Sequence, residues 1–508
     1  MPSCSSDRGD RTDASGGRRL ALTFAQLTER YGERYKWLVL ATVMIGTMAS
    51  ILSSTIVNVA IPDLSRYFTL GQERAQWVSA GFMLAMTLSM LTTPWLLLRF
   101  GLRHTYTGAI LLLLCGGVIG GFSLNYPMLL SMRVAEGLAA GVLQPIPAIV
   151  ILRSFDTSEQ GRAMGIFGFG VVLAPAIGPS VGGFLVEQFG WRSIFFVVVP
   201  FCLAVLVLIR RYLPLHAAPA IGGSHRLDWR GLALVALATV SLLNALVHLH
   251  DDVPVAIGLL VLGAVALGAL LVYLRRTKVQ PLINLALFGY RQFAMGSLVA
   301  FIYGMGLFGS TYLLPVYMQM ALQYAPSRAG MVLLPAGIAL AITIPLAGRL
   351  ADRQPPHRLV AIGLALLTIS FALMAQGAVA SGFVALMVWA VIGRIGLGFV
   401  LPALSIGAMR GVAPGLIAQG ASTINFMRQL GGAIGVSLVG IVLERRLAVH
   451  HSGLGGALVT GGNSAERVLA FDETFFGVAA VCAVAVLAAW RMRPALPIAA
   501  VVQADLRG

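Results

Sequence analysis

The chain has 508 residues, of which 58% are hydrophobic and only 11% charged, with a formal net charge of +16. A soluble protein carries about 25% charged residues, so there is too little polar surface here to cover a water-exposed globule. Apolar runs of about 20 residues recur along nearly the whole sequence, each long enough to cross a hydrocarbon core of roughly 30 Å as a helix. Continuous runs, without alternation of polar and apolar residues, argue against a β-barrel.

In chain order, residues 1–36 form a polar, Arg-rich leader that lacks the apolar segment of a cleavable signal. Asp7, Asp10 and Asp13 argue against a transit peptide. Fourteen spans are then predicted. Six fall at 37–60, 76–98, 104–124, 127–152, 162–187 and 193–210, within an N-terminal half of residues 37–212. A cytoplasmic linker, 213–230, leads to two inserted spans at 231–250 and 253–274, and a second linker follows at 275–291. Six more spans, at 292–318, 329–351, 358–379, 382–409, 419–443 and 470–490, make a C-terminal half of residues 292–490, and 491–508 is a cytoplasmic tail. Cys115, Cys202 and Cys482 sit inside apolar runs and Cys4 in the leader, which is no disulfide framework.

The basic residues give the orientation. With the N-terminus in the cytoplasm, 26 of the 36 Lys and Arg fall on the cytoplasmic side, seven outside, and three (Arg133, Arg394 and Arg428) within spans. This asymmetry follows the positive-inside rule and places both ends inside. It accounts for the positive charge without nucleic acid.

The sequence also repeats. Arg133 stands four residues before Gly137 in span 4, and Arg394 four before Gly398 in span 12, an offset of 261 residues. Arg99 after span 2 and Arg353 after span 10 are offset by 254. Two similar offsets over different motifs predict two matched six-span halves with spans 7 and 8 inserted, a transporter architecture.

At the level of motifs the chain resembles the fourteen-span drug:proton antiporters of the major facilitator superfamily, the EmrB/QacA type, over about residues 37–490. Span 1 reads Leu52-Ser53-Ser54-Thr55-Ile56-Val57-Asn58-Val59-Ala60-Ile61-Pro62, close to the family pattern, with Ser53 where the family usually has Asp. The loop after span 2, Pro94 to Gly101, has Leu98 where the superfamily has an acid; the second copy keeps it as Asp352 between Ala351 and Arg353. Arg133 stands in the place of the superfamily's membrane-embedded arginine. Span 5 resembles the antiporter motif through Gly165, Gly178-Pro179 and Gly182-Gly183, with Ala174 in place of a usual glycine.

The resemblance implies an all-α, polytopic major facilitator fold and proton-coupled efflux of hydrophobic or amphipathic drugs across the plasma (bacterial inner) membrane by alternating access. The alternative is export or import of a physiological metabolite such as an organic anion, which three intramembrane arginines against one glutamate also fit. It implies protons and a small molecule as what the protein handles, the bilayer as its setting, and a periplasmic adaptor with an outer-membrane channel as partners of related permeases. No cofactor and no metal are expected.

The residues carry this reading unevenly. An arginine inside a span costs roughly 2.5–3.5 kcal/mol on insertion scales, so Arg133 is expected to face the bundle interior. Glu136, three residues on, shares its helix face and is the one carboxylate near the middle of a span. Two readings stand side by side: a proton-coupling pair whose proton affinity differs between inward and outward states, and a static pair that fixes packing. Ser54, Thr55 and Asn58 share a face of span 1, with Ser53 on its flank; they line a wet cavity or bond across helices. Gln144, Tyr312 and Asn425 complete the candidate substrate cavity. Gly178, Gly182 and Gly183 permit close helix approach and Pro179 bends span 5, forming a seam expected to rock against the other half. Arg99, Gly101, Arg349, Asp352 and Arg353 lie at the cytoplasmic mouth. There an Asp352–arginine pair is the expected latch, by resemblance, and topology-setting charge is the other reading.

Other classes fit poorly. A P-loop needs Gly-Lys followed by Ser or Thr, and the two lysines, Lys36 and Lys278, follow Tyr35 and Thr277. No metal motif or facing acid pair marks an intramembrane enzyme, and no filter loop or charged ring marks a channel. His248, His250, Asp251 and Asp252 at the end of span 7 lack a defined ligand geometry.

Overall fold

A computed structural model of the protein describes residues 29–213, 226–249, 252–277, 281–376, 382–450 and 464–493. The leader to residue 28, most of the linker 213–230, His250, Asp251 and the tail beyond 493 lie outside the described residues. The described residues contain helices and turns and no strand. In hydrocarbon every backbone N–H and C=O must find its partner within the segment, and long helices meet that demand.

Among the described residues, thirteen helical stretches are long and apolar enough to cross a membrane. One of them, Arg74–Gly121, has 48 residues; at 1.5 Å per residue it is about 72 Å long, more than twice the hydrocarbon thickness. It is broken at Gly101, where φ is 73° and ψ 170°, a conformation that only glycine adopts readily. Divided there, it gives two segments that correspond to spans 2 and 3. Local signals start several helices. Asn125 accepts from Met128 N at the start of span 4. Asp228 caps Gly231 N at the start of span 7, and Asp252 caps Val255 N at the start of span 8.

The two halves pack alike. In the first, span 1 lies against spans 5 and 6, span 2 against span 4, and span 3 against spans 4 and 6. In the second, span 9 lies against spans 13 and 14, span 10 against span 12, and span 11 against spans 12 and 14. Adding eight to each number of the first set gives the second. The halves meet through an equally matched pair of seams, span 5 on span 10 and span 2 on span 13. Spans 7 (Trp229–Val247) and 8 (Val253–Arg276) pack on each other as a hairpin, and span 7 touches spans 2 and 13 at the flank.

Both seams are made near one end of the bundle. At the span 5–span 10 seam, a β-carbon placed on Gly348 would come within 2.6 Å of Gly165 Cα, and one on Gly165 within 3.0 Å of Pro345 Cα. Asp352 accepts from the backbone N–H of Gly161 at 2.6 Å and of Arg162 at 2.8 Å. The start of span 1 lies at the same end, where Lys36 Nζ donates to Glu159 at 2.6 Å. At the opposite end of span 5, Phe184 and Phe189 are exposed.

Candidate functional site

Arg133 is the bulkiest side chain among the fully buried ones, and Glu136 beside it is 1% exposed. Their positions follow from the helix period: residues three apart share a face, and that face of span 4 looks toward spans 1, 2 and 3. Arg133 Nη1 donates to Glu136 Oε2 at 2.5 Å and to Ser53 Oγ at 3.1 Å, and Nε donates to the Val78 carbonyl at 3.3 Å. Ser53 Oγ in turn donates to Glu136 Oε2 at 3.3 Å. The guanidinium carbon sits 4.3 Å from the centroid of the Phe82 ring, a cation–π contact worth up to about 2 kcal/mol when desolvated. Glu136 packs on span 3 where Gly116 and Gly117 leave room; a β-carbon on Gly117 would lie 3.3 Å from Oε1. Oε1 has no hydrogen-bond partner among the described residues. The cluster is thus internal to the first half. Separating two such charges leaves one buried and uncompensated, at a cost of about 3–5 kcal/mol.

A second polar site lies where the halves face each other. Gln144, Asn425, Arg428 and Ser405 line a cavity of about 30 Å³, closed by Phe167, Leu401 and neighbours from spans 5 and 12. Gln144 stands at a break in span 4, between helices Tyr126–Leu143 and Ile146–Ser154. Pro145 and Pro147 withhold two backbone donors there. Arg428 Nη2 donates to Asn425 Oδ1 at 3.0 Å, and the Asn425 amide is pinned to the Ala421 carbonyl at 2.9 Å.

A cavity of about 990 Å³ lies elsewhere. It is an almost wholly apolar groove between spans 2, 3 and 4 and span 7, with exposed Trp77, Leu112, Leu138 and Trp229 on its walls. The polar side chains on its wall are Ser89, Thr92, His104 and Thr105.

The remaining sequence candidates divide. Gln144 and Asn425 share the inter-half cavity, whereas Ser53 belongs to the Arg133–Glu136 cluster. Ser54 donates to the Ile51 carbonyl, and Thr55 back-bonds to Ile51 and Leu52 on its own helix. Asn58 is exposed and accepts from Ser79 Oγ of span 2 at 2.7 Å. Tyr312 is 39% exposed and does not line the cavity. Gly178 and Gly182 face Thr55 and Ile56 of span 1, and Gly183 faces Val59 more loosely. Pro179 lies within the helix beside them. Their seam therefore joins span 5 to its own half. The contact with the other half is made by Gly161 and Gly165, which are earlier on the same helix. Arg99, Arg349 and Arg353 are exposed and form no ion pair among the described residues. Asp352 is bonded to the first turn of span 5 instead of to an arginine side chain. Asp252 serves as a helix cap. Sequence reasoning placed Arg428 in a span without assigning it to the cavity; the cost of an unpaired arginine at that depth was the available signal.

A model of the Major Facilitator Superfamily matches residues 43–436. The chain belongs to this superfamily. It is a multi-pass membrane transporter of small molecules, not an enzyme. It is 30% identical over 427 residues to the "Multidrug resistance protein B homolog" of Mycobacterium tuberculosis, covering 81% of this chain and 78% of that one. It is 27% identical over 452 residues to the "Riboflavin transporter RibZ" of Clostridioides difficile, covering 88% of this transporter and 96% of its relative. Among solved structures, the proton:xylose symporter XylE superposes with a TM-score of 0.63 at 14% identity, over 91% of this chain and 97% of that one. The fold is shared at that identity; the substrate is not implied.

Proposed function

We propose that the transporter exports hydrophobic or amphipathic compounds across the bacterial inner membrane in exchange for protons, with both termini in the cytoplasm. The observation that carries this reading is the buried Arg133–Glu136–Ser53 cluster, supported by relatives named for multidrug resistance. Glu136 is the proton carrier. When ionised it neutralises Arg133; when it takes a proton, Arg133 keeps Ser53, the Val78 carbonyl and the Phe82 face, and spans 1 and 4 are held less tightly to each other. A proton that changes helix-to-helix attraction inside one half is able to bias two arrangements of the halves, and that bias is what coupling requires.

In this orientation the end at which spans 5 and 10 meet is cytoplasmic, so the structure corresponds to the arrangement closed toward the cytoplasm. Asp352, Gly161, Gly165 and Gly348 form its latch. A periplasmic adaptor with an outer-membrane channel is the partner assembly we propose by analogy.

The test is transport of cationic, neutral and anionic dyes in proteoliposomes with an imposed pH gradient. Glu136→Gln is expected to abolish gradient-driven accumulation while dye exchange without a gradient persists. Gradient-driven accumulation by a normally inserted Glu136→Gln protein would refute Glu136 as the carrier of the proton.

A further inference from the structure

The intramembrane charges are balanced in one half and unbalanced in the other. Arg133 is paired with Glu136. Arg394 and Arg428, in spans 12 and 13, form no ion pair among the described residues. Tyr303 of span 9 lies near enough to both for their charges to act on it, and its hydroxyl donates to the Leu397 carbonyl at 3.4 Å. A neutral phenol does not offset two cations. Uncompensated charge at membrane depth is costly and marks pathways for charged cargo.

Of the two, Arg428 reaches the inter-half cavity. Asn425 holds one of its terminal nitrogens, which orients the planar fork, and its Nε is buried without a hydrogen-bond partner among the described residues. Gln144 from the other half and Ser405 supply further polar groups to the same space, and Phe167 and Leu401 supply apolar wall. A guanidinium fork with an unused donor matches an oxyanion. One oriented cation, amide and hydroxyl groups around it and an apolar surround describe a receptor for a charged head on an apolar body.

We infer that this cavity is a carboxylate subsite: Arg428, steadied by Asn425, receives the anionic head of an amphipathic substrate between the halves. The inference rests on the proposed carrier reading and narrows its substrates toward organic anions. Because the anion lies between Gln144 of one half and Arg428 of the other, its binding favours the arrangement in which both reach it. In the present closed arrangement the cavity admits a head group and little more.

The test uses the full-length protein in nanodiscs of zwitterionic lipid, at equilibrium and without a pH gradient. The probes are dansyl-phenylalanine and its C-terminal amide, which differ in one negative charge. The carboxylate is expected to bind about 10-fold more tightly than the amide, the size of one charge-assisted contact. Arg428→Gln is expected to erase that preference, so that carboxylate and amide bind equally. Arg428→Lys keeps the charge without the fork and retains part of the preference. Asn425→Ala, which removes the steadying contact and one amide of the cavity wall, reduces it by a smaller factor. Equal binding of the two probes by the native protein, absence of carboxylate binding, or an unchanged preference in Arg428→Gln would overturn the assignment. Since no gradient is applied, a failure here leaves proton-driven export untouched, and a failure of proton coupling leaves this result standing.

Discussion

Spans 4 and 12 occupy matching places in the two halves, and each carries an arginine at membrane depth. In span 4 the residue three positions on is Glu136; in span 12 it is Leu397. The first arginine is enclosed by a carboxylate, a hydroxyl, a carbonyl and an aromatic face within its own half. The second has the Tyr303 phenol nearby and no ion pair among the described residues. The seams differ in the same manner. Where span 10 meets the first turn of span 5, Asp352 accepts two backbone N–H groups. At the mirrored seam Leu98 stands near Gln419 in the first turn of span 13, where Asp228 is also close. One backbone plan thus serves two chemistries: the first half holds its charge internally, and the second presents charge to the space between the halves.

The comparison breaks most decisively if the acid can be moved. In a Glu136→Gln background, Ser53→Asp places a carboxylate where the Ser53 hydroxyl now meets Arg133 at 3.1 Å. We expect this double variant to regain a substantial part of the gradient-driven dye accumulation lost in Glu136→Gln alone, measured in proteoliposomes. No recovery by a correctly inserted double variant would mean that the location of the acid, and not its pairing with Arg133, is what matters.

Making the second half resemble the first is the next test. Leu397→Glu adds an acid three residues after Arg394, at the position that Glu136 holds in span 4. Its expected effect is a several-fold loss of carboxylate-over-amide preference, read by the same binding titration. An unaltered preference would uncouple Arg394 from the cavity.

Gly348→Leu forces a side chain into the span 5–span 10 seam. Overpacking of this kind costs about 1–3 kcal/mol, so the closed arrangement should lose population by about 5- to 150-fold, using 1.4 kcal/mol per decade. Spin labels at the exposed positions Arg162 and Arg349 would report this as a longer distance distribution. An unchanged distribution would show that the glycine contact does not hold the halves together.

The smallest effect is expected at the acid of the latch. Asp352→Asn keeps an acceptor but loses the charge that favours a helix N-terminus, worth about 1 kcal/mol. The same labels should show a partial shift in the same direction. Leu98→Asp at the mirrored seam should move the distribution the opposite way by no more than that, since Asp228 nearby opposes a second negative charge. A shift toward opening in Leu98→Asp would show that the two seams are not equivalent.

Much of the fold was legible because apolar run length is a direct consequence of bilayer thickness. The repeat was legible because Arg133 and Arg394, and Arg99 and Arg353, kept similar offsets. The Arg133–Glu136 pair was legible too, since helix period alone places them together. The cavity was less so. Of seven residues assigned to it, Gln144 and Asn425 share it, whereas Ser53 joins the Arg133–Glu136 cluster, Ser54 and Thr55 bond their own helix, Asn58 bonds Ser79, and Tyr312 does not line it. Small polar residues in a membrane helix satisfy themselves on nearby carbonyls as readily as they line a cavity, and sequence does not distinguish the two. The glycines of span 5 illustrate the same limit: a small-residue stripe announces close approach but does not name the helix approached.

By itself the sequence determined that this chain crosses a membrane many times as two matched sets of helices, and that an arginine and a glutamate share one helix face. Those outcomes rest on local rules, the length of apolar runs and the 3.6-residue period. The tertiary structure decided which helices face each other: that Ser53 closes the charged cluster, that Gly161, Gly165 and Asp352 join the halves, and that Arg428 stands opposite Gln144. Each of these depends on two segments far apart in the chain meeting at a particular rotation about their axes, which only the packing of the whole bundle fixes.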